Sequence, residues 1–298
     1  MRVVTTLAEL RHVRSSLPSS FGLVPTMGAL HAGHAALVRR ARDENASVGV
    51  SVFVNPSQFA PSEDLSRYPR PIEADLALLS DLGTDVVWAP PVEEIYPPGF
   101  QTWVDVDEVS RPLEGGRRPG HFRGVATVVA KLLNAFSPDR AYFGQKDAQQ
   151  VAVIRAMVRD LAFPLDLVVV PTVREEDGLA LSSRNVYLSP AQRRGATVLF
   201  RALSAARTDH ERGIRSAALL RERMKEVLAS EEGAVVDSVS VADPGTLREL
   251  ETVTGGALLS LAVRFGATRL IDNFLLERGV WSTGTLSPPG RGEAGRAA

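Results

Sequence analysis

Short apolar runs alternate with helix-like amphipathic stretches through roughly the first 170 residues, and this alternation constrains the chain more than any other feature. It calls for a parallel sheet with helices on both faces, because parallel strands need helical crossovers to join them. Phe21 to Val24, Val48 to Val54, Thr84 to Ala89 and Asp166 to Val170 read as strands. The valine-rich second run, ending at Asn55-Pro56, suits a strand buried on both sides. Between Gly124 and Phe136 the residues Val125, Val128, Val129, Leu132, Leu133 and Phe136 fall at helical spacing, and Ser137-Pro138-Asp139 stops the pattern. Asp147 is placed to cap a further helix whose stripe Val151, Ile154, Met157, Val158 and Leu161 faces the sheet. The expected fold class is α/β, a doubly wound parallel sheet.

From Pro171 to Arg184 the texture changes to a charged, glycine-containing connection, and a domain boundary is expected there. Residues 1–172 then form the larger domain. Residues 173–282, with strand candidates at Val235 to Val241 and Leu258 to Phe265, form a smaller α+β unit that closes over it. Residues 283–298 carry too little apolar surface to order themselves and read as a disordered tail. Lys and Arg number 34 against 35 Asp and Glu, a formal net charge of -1, which disfavours nucleic acid or an anionic membrane as partner and leaves a small molecule as the default. The absence of cysteine excludes disulfides, thiolate metal sites and cysteine nucleophiles, and it suits the cytoplasm. Charge interrupts the first eleven residues too often for a signal peptide, and no apolar run approaches the ~20 residues of a membrane span.

The chemistry is expected where strands end. After Phe21 to Val24 the chain turns through Pro25-Thr26-Met27-Gly28 into a helical pattern that opens with His31-Ala32-Gly33-His34. A helix start reached through a glycine turn presents backbone N–H groups and a positive dipole end to an anion, and imidazoles at i and i+3 share one face. The pair suits donors to a leaving pyrophosphate; a cap plus a solvated side chain is the competing reading. Gln58, beyond Asn55-Pro56, can hold a hydroxyl and a carboxylate oxygen of one ligand, or be an ordinary loop amide. In Gly144-Gln145-Lys146-Asp147, Gly144 lets backbone approach a nucleotide, Lys146 offers charge to phosphate, and Asp147 suits ribose or a cap; Gln150 lies one turn on. Read otherwise, Lys146 and Gln150 are surface groups. Leu181-Ser182-Ser183-Arg184 combines two hydroxyls and a guanidinium into a phosphate clamp, or forms a plain turn. Glu114 to Gly124 is a basic, glycine-rich stretch that reaches an anionic substrate or stays a surface loop.

Taken together, Pro25 to His34, Phe53-Val54-Asn55-Pro56, Gln58-Phe59, Tyr68-Pro69-Arg70, Phe143 to Asp147, Gln149-Gln150 and Asp177 to Asn185 resemble, in order and spacing, the blocks of the pantothenate synthetase (pantoate–β-alanine ligase) family. The resemblance weakens after about residue 230. It implies a Rossmann-like amino-terminal domain of the HxGH nucleotidyltransferase superfamily, a smaller carboxy-terminal lid and a homodimer. It also implies ATP against Met27, Gly28, Ala29, Leu30, His31, Ala32, Gly33, His34, Gly144, Gln145, Lys146, Asp147, Val173, Leu181, Ser182, Ser183 and Arg184, with pantoate between Gln58 and Gln150. His34 takes the catalytic acid's position, and Ser182-Ser183-Arg184 that of a mobile phosphate loop. Ser57, Gln145 and Ala32 depart from the family's commonest forms.

The implied reaction joins pantoate to β-alanine through a pantoyl adenylate, with His31, His34, Lys146, Ser182, Ser183 and Arg184 stabilising the departing pyrophosphate together with Mg²⁺. No dedicated protein metal site is expected, Asp75 being a weak ligand candidate. Another nucleotidyltransferase of the same superfamily and a nucleotide-binding protein without turnover are the alternatives; an aminoacyl-tRNA synthetase fits less well, for want of a tRNA-binding extension and net basic charge.

Overall fold

The computed structural model describes residues 1–60 and 65–286. Its larger sheet has six strands, β1 (Arg2–Val4), β2 (Phe21–Thr26), β3 (Ser47–Val52), β4 (Val86–Trp88), β5 (Arg140–Gly144) and β6 (Asp166–Val170). All pair in parallel, in the spatial order β1-β4-β3-β2-β5-β6. Alternate residues of β2 feed two cores: Phe21 and Leu23 pack with the helices Leu7–Ser16, His121–Phe136 and Ala148–Asp160, whereas Val24 packs with Ala32–Glu44 and Ile72–Asp81. Helices on both faces make this the doubly wound, Rossmann-like arrangement. From β2 the chain winds one way through β3 to β4, then crosses back past β2 to β5 and β6 on its other side, so the carboxyl ends of β2 and β5 border the topological switch point where such sheets bind ligands.

Local details differ from the sequence reading. The second strand stops at Val52, so Phe53 and Val54 already belong to the loop. The long helix begins at His121, three residues before Gly124. Asp147 occupies the cap position of Ala148–Asp160 without a side-chain capping bond. Leu161 lies just past that helix and is 54% exposed, because the stripe's last position falls after the chain has turned away from the sheet. Glu114–Arg117 forms a short helix rather than loop.

Between this sheet and the next, the short strand β7 (Val173–Arg174) follows β6. A second sheet, antiparallel, contains β8 (Val235–Ala242), β9 (Ala257–Phe265), β10 (Thr268–Glu277) and β11 (Val280–Ser282) in the order β11-β10-β9-β8. The helices Val198–Glu211 and Ala217–Ala229 cover it, with Leu199, Leu203, Leu220 and Met224 against Leu259, Val263 and Phe274. The sequence did not announce β10, because Asp272 and Asn273 sit at its middle and neither residue type favours strands. β12 (Thr285–Leu286) returns to pair in parallel with β7, and the Thr285 N–H donates to the Thr172 carbonyl at 2.8 Å. Residues 285–286, expected in the tail, are therefore paired strand: backbone hydrogen bonding holds them while the Leu286 side chain stays exposed. Residues 283–284 of the expected tail are also described, as the link from β11 to this strand, and 287–298 lie outside the described residues.

Candidate active site

At the end of β2 the chain must reverse within a few residues, and a buried carboxylate organises the turn. Gly28 takes φ +78°, and a Cβ there would lie 2.9 Å from Asp75 Oδ2. Ala29 follows at φ 51°. Asp75, 3% exposed, accepts from the Ala29 and Leu30 N–H groups, both at 2.8 Å. Both oxygens thus accept from backbone, so Asp75 has a structural role in holding the turn. The same geometry narrows the expectation of free N–H groups at this helix start, because several are already engaged. Gly28 donates to Thr26 Oγ1, Ala29 and Leu30 to Asp75, His31 to His34, and Gly33 to His31. The Ala32 N–H donates to nothing among the described residues and remains open to an anion, beside donors from side chains.

The histidines supply the side-chain donors. His31 is the N-cap of Ala32–Glu44, its Nδ1 accepting from the Gly33 N–H at 3.1 Å, and His34 Nδ1 accepts from the His31 N–H at 3.3 Å. This reciprocal capping box spends both Nδ1 lone pairs, so each neutral ring carries its proton on Nε2. The two readings of the pair, cap and anion donor, are therefore compatible. The rings lie 4.2 Å apart by centroid. Burial, with mutual repulsion and the Lys146 charge, pushes His31 down to about 3; burial and Lys146 push His34 down to about 4. Both are therefore neutral N–H donors at physiological pH. An arriving triphosphate favours their protonated forms.

One cavity of about 240 Å³ collects most of the expected residues. Met27, His31, Gly33 and His34 line it from β2 and its helix; Gly144, Lys146, Asp147 and Gln150 from β5 and the helix after it; Val173, Leu181, Ser182, Ser183 and Arg184 from the connection; and Gln58 from the loop after β3. Gly28, Ala29, Leu30 and Ala32 do not reach it. They shape the turn, and Gly28 lines a separate cavity with Asp75 and Arg70. Gln145 is absent from the wall as well: its side chain is 3% exposed and turns away to Ser282 and Asn273.

Gln58 is held by a network spanning distant elements. Asn55 Nδ2 donates to Gln58 Oε1 at 2.9 Å and to the Gly124 carbonyl at 3.2 Å, while Tyr96 OH donates to Asn55 Oδ1 at 2.9 Å. Among the described residues Gln58 Nε2 donates only to Met27 Sδ, at 3.4 Å, a weak acceptor that a substrate oxygen can replace. His121 Nδ1 donates to the Gln58 carbonyl at 2.7 Å, and Arg118 Nη1 bonds His121 Nε2 at 3.0 Å. Arg118 and His121 both line the cavity, so the glycine-rich stretch does reach the site. Gly124 permits the approach, since a Cβ there would meet the Ser57 carbonyl oxygen at 2.4 Å. Sequence reasoning gave neither Arg118 nor His121 a role; the signal available was a glycine one turn after a histidine at a helix start. Across the cavity, Tyr68 OH and Ser183 Oγ lie 3.4 Å apart and tie the serine–arginine segment to the loop after β3.

An imidazole pair at the switch point of a parallel sheet, facing a lysine and a serine–arginine segment, is a donor set suited to a nucleotide-binding enzyme. Comparison with known proteins narrows the class. The family model for pantoate–β-alanine ligase matches residues 2–275. The pantothenate synthetase of Roseiflexus sp. (strain RS-1) is 61% identical over 277 residues, covering 93% of this chain and all of that protein, and that of Herpetosiphon aurantiacus is 57% identical over the same length. The crystal structure of pantothenate synthetase from Thermus thermophilus superimposes with a TM-score of 0.88 at 54% identity, covering 92% of this chain and 98% of that one. The Francisella tularensis pantoate–β-alanine ligase, complexed with β,γ-ATP and β-alanine, gives 0.76 at 34% identity over 92% and 97%. The chain belongs to the pantoate–β-alanine ligase family, the pantothenate synthetases.

Proposed function

We propose that this ligase condenses pantoate with β-alanine to give pantothenate, AMP and pyrophosphate, through a pantoyl adenylate. The observation that carries the reading is that His31, His34, Lys146 and Arg184, four groups suited to a polyphosphate, share one cavity with Gln58 and Gln150, two amides suited to a hydroxy acid. A pantoate carboxylate oxygen attacks the α-phosphorus of ATP, and the bond to pyrophosphate breaks. The protein aligns the attack and meets charge developing on the leaving group with the two Nε2–H donors, the Lys146 ammonium and the Ser182-Ser183-Arg184 segment. His34 takes the general-acid position: its Nε2–H hydrogen-bonds the departing pyrophosphate, and it gives up a proton only from the imidazolium form that the bound triphosphate favours. The β-alanine amine then attacks the acyl carbon, AMP leaves, and the amine's proton passes to solvent.

Mg²⁺ belongs to the substrate in this scheme, carried in on the triphosphate. The donor set suits that role: among the described residues no cluster of three or more His, Asp or Glu side chains could hold a metal, while Asp147 contributes a carboxylate to the cavity wall. Residues 1–172 bind ATP and pantoate, and 173–282 act as the lid that keeps water from the adenylate. We place the protein in the cytoplasm, which the lack of cysteine suits; no helix among the described residues is long and apolar enough to cross a membrane. A homodimer rests on family resemblance and is checked by sedimentation.

Pantoate carrying ¹⁸O in its carboxylate provides the test. The label appears in AMP if the carboxylate attacks phosphorus, and pyrophosphate exchanges into ATP only when pantoate is present. Label retained wholly in pantothenate rejects the scheme.

A further inference from the structure

We propose that Asn273, in the middle of β10, is a positioning residue for the ATP site, setting the orientation of Lys146 from the opposite domain. The inference rests on the ATP site assigned above. Asn273 is 2% exposed and touches none of the cavity described there. Its Nδ2 donates to two successive main-chain carbonyls, Gln145 at 3.1 Å and Lys146 at 2.9 Å. Its Oδ1 accepts from Gln145 Nε2 at 3.3 Å, and Gln145 also donates to the Ser282 carbonyl at 2.9 Å. One amide therefore directs two consecutive peptide planes toward the second sheet. With those planes fixed, the Lys146 side chain departs on the other side, into the phosphate cavity.

The chemistry selects an amide at this position. Two N–H donors on a single nitrogen can gather two neighbouring carbonyls; a carboxylate would set like charge against both, and a hydroxyl carries one donor. The neighbouring residue extends the brace to the other phosphate segment. Asp272 Oδ1 accepts from the Asn273 N–H at 2.7 Å, and its carboxylate pairs with Arg174 in a two-pronged contact of 2.6 and 2.8 Å, both side chains 2% exposed. Arg174 in turn donates to the Gly178 carbonyl at 3.0 Å, in the turn that returns the chain to Leu181 and the serine–arginine segment. Two adjacent residues of β10 thus hold both phosphate-facing segments in one frame. This also explains why Gln145 turns from the cavity: its amide completes the brace.

The test is a double-mutant cycle read by equilibrium binding of MgATP, which requires no assumption about the organic acid. Asn273→Ala should weaken ATP binding by about tenfold in the otherwise wild-type protein, and by less than about twofold when Lys146→Ala is already present. A residue that merely supported the fold would lower the two backgrounds by the same factor. Equal factors, or unchanged ATP affinity on Asn273→Ala, would overturn the proposal. Asn273→Ser, which leaves a smaller void and one donor, should fall between wild type and Asn273→Ala in the same cycle, and it carries the test if the alanine variant does not fold. Pantoate-dependent pyrophosphate exchange in the wild-type protein, measured alongside, tests the assigned reaction independently.

Discussion

Replacing both histidines with residues that cannot titrate, yet keep the capping box, should flatten the acid limb of the stability curve. His31→Asn retains an N-cap acceptor, and Gln at position 34 retains the acceptor that closes the box, so the variant keeps its helix start. In the folded protein His34 is pushed from 6.5 down to about 4 and His31 to about 3. A depressed histidine means that the unfolded chain binds more protons between those limits, so the stabilisation is complete above about pH 6.5 and is lost as pH falls toward 4. At about 1.4 kcal/mol per pH unit, the His34 shift corresponds to about 3 kcal/mol. His34 is only half-buried, lining a cavity open to water, which reduces this to about 1.5–2 kcal/mol, with His31 adding in the same sense. Urea unfolding at steps between about pH 7 and pH 4 should therefore show the wild-type protein losing about 2–3 kcal/mol more than the double variant. Parallel curves for the two proteins would refute neutral, desolvated imidazoles at this site. The variant should also lose adenylate formation while remaining folded.

Lys146→Ala should slow single-turnover adenylate formation by more than about tenfold, or ~1.4 kcal/mol of transition-state stabilisation, with the far-UV spectrum unchanged. Gln58→Ala should raise the KM for pantoate by about tenfold and leave that for ATP within about twofold, as measured in steady-state assays. Asp75→Ala removes the shared acceptor of the Ala29 and Leu30 N–H groups, so it should cost about 3 kcal/mol in chemical unfolding and reduce pyrophosphate exchange through the displaced histidine turn. An Asp75→Ala protein of wild-type stability would remove that carboxylate from its structural role.

The parallel sheet, the long helix ending at Phe136 and the chemical character of the site were legible in the chain because each rests on local patterning. Strand runs repeat over a few residues, helical stripes recur every three or four, and His31 and His34 meet within a single helical turn. The capping box follows from the same short separation. What the local pattern cannot carry is the destination of a polar side chain whose partner lies far along the chain. Asp75 read as a weak metal-ligand candidate, and its role in bracing a turn 45 residues earlier came only with the fold. Gln145 read as a nucleotide contact until Asn273, 128 residues away, engaged it from another sheet. The pairing of Thr285–Leu286 with β7 lies equally beyond a local rule, since backbone groups alone make it. Sequence by itself determined which residues could act on a phosphate, because side-chain chemistry and local periodicity are written residue by residue. Only the tertiary structure decided which of them face the cavity, because buried polar groups take the partners that long-range packing brings to them.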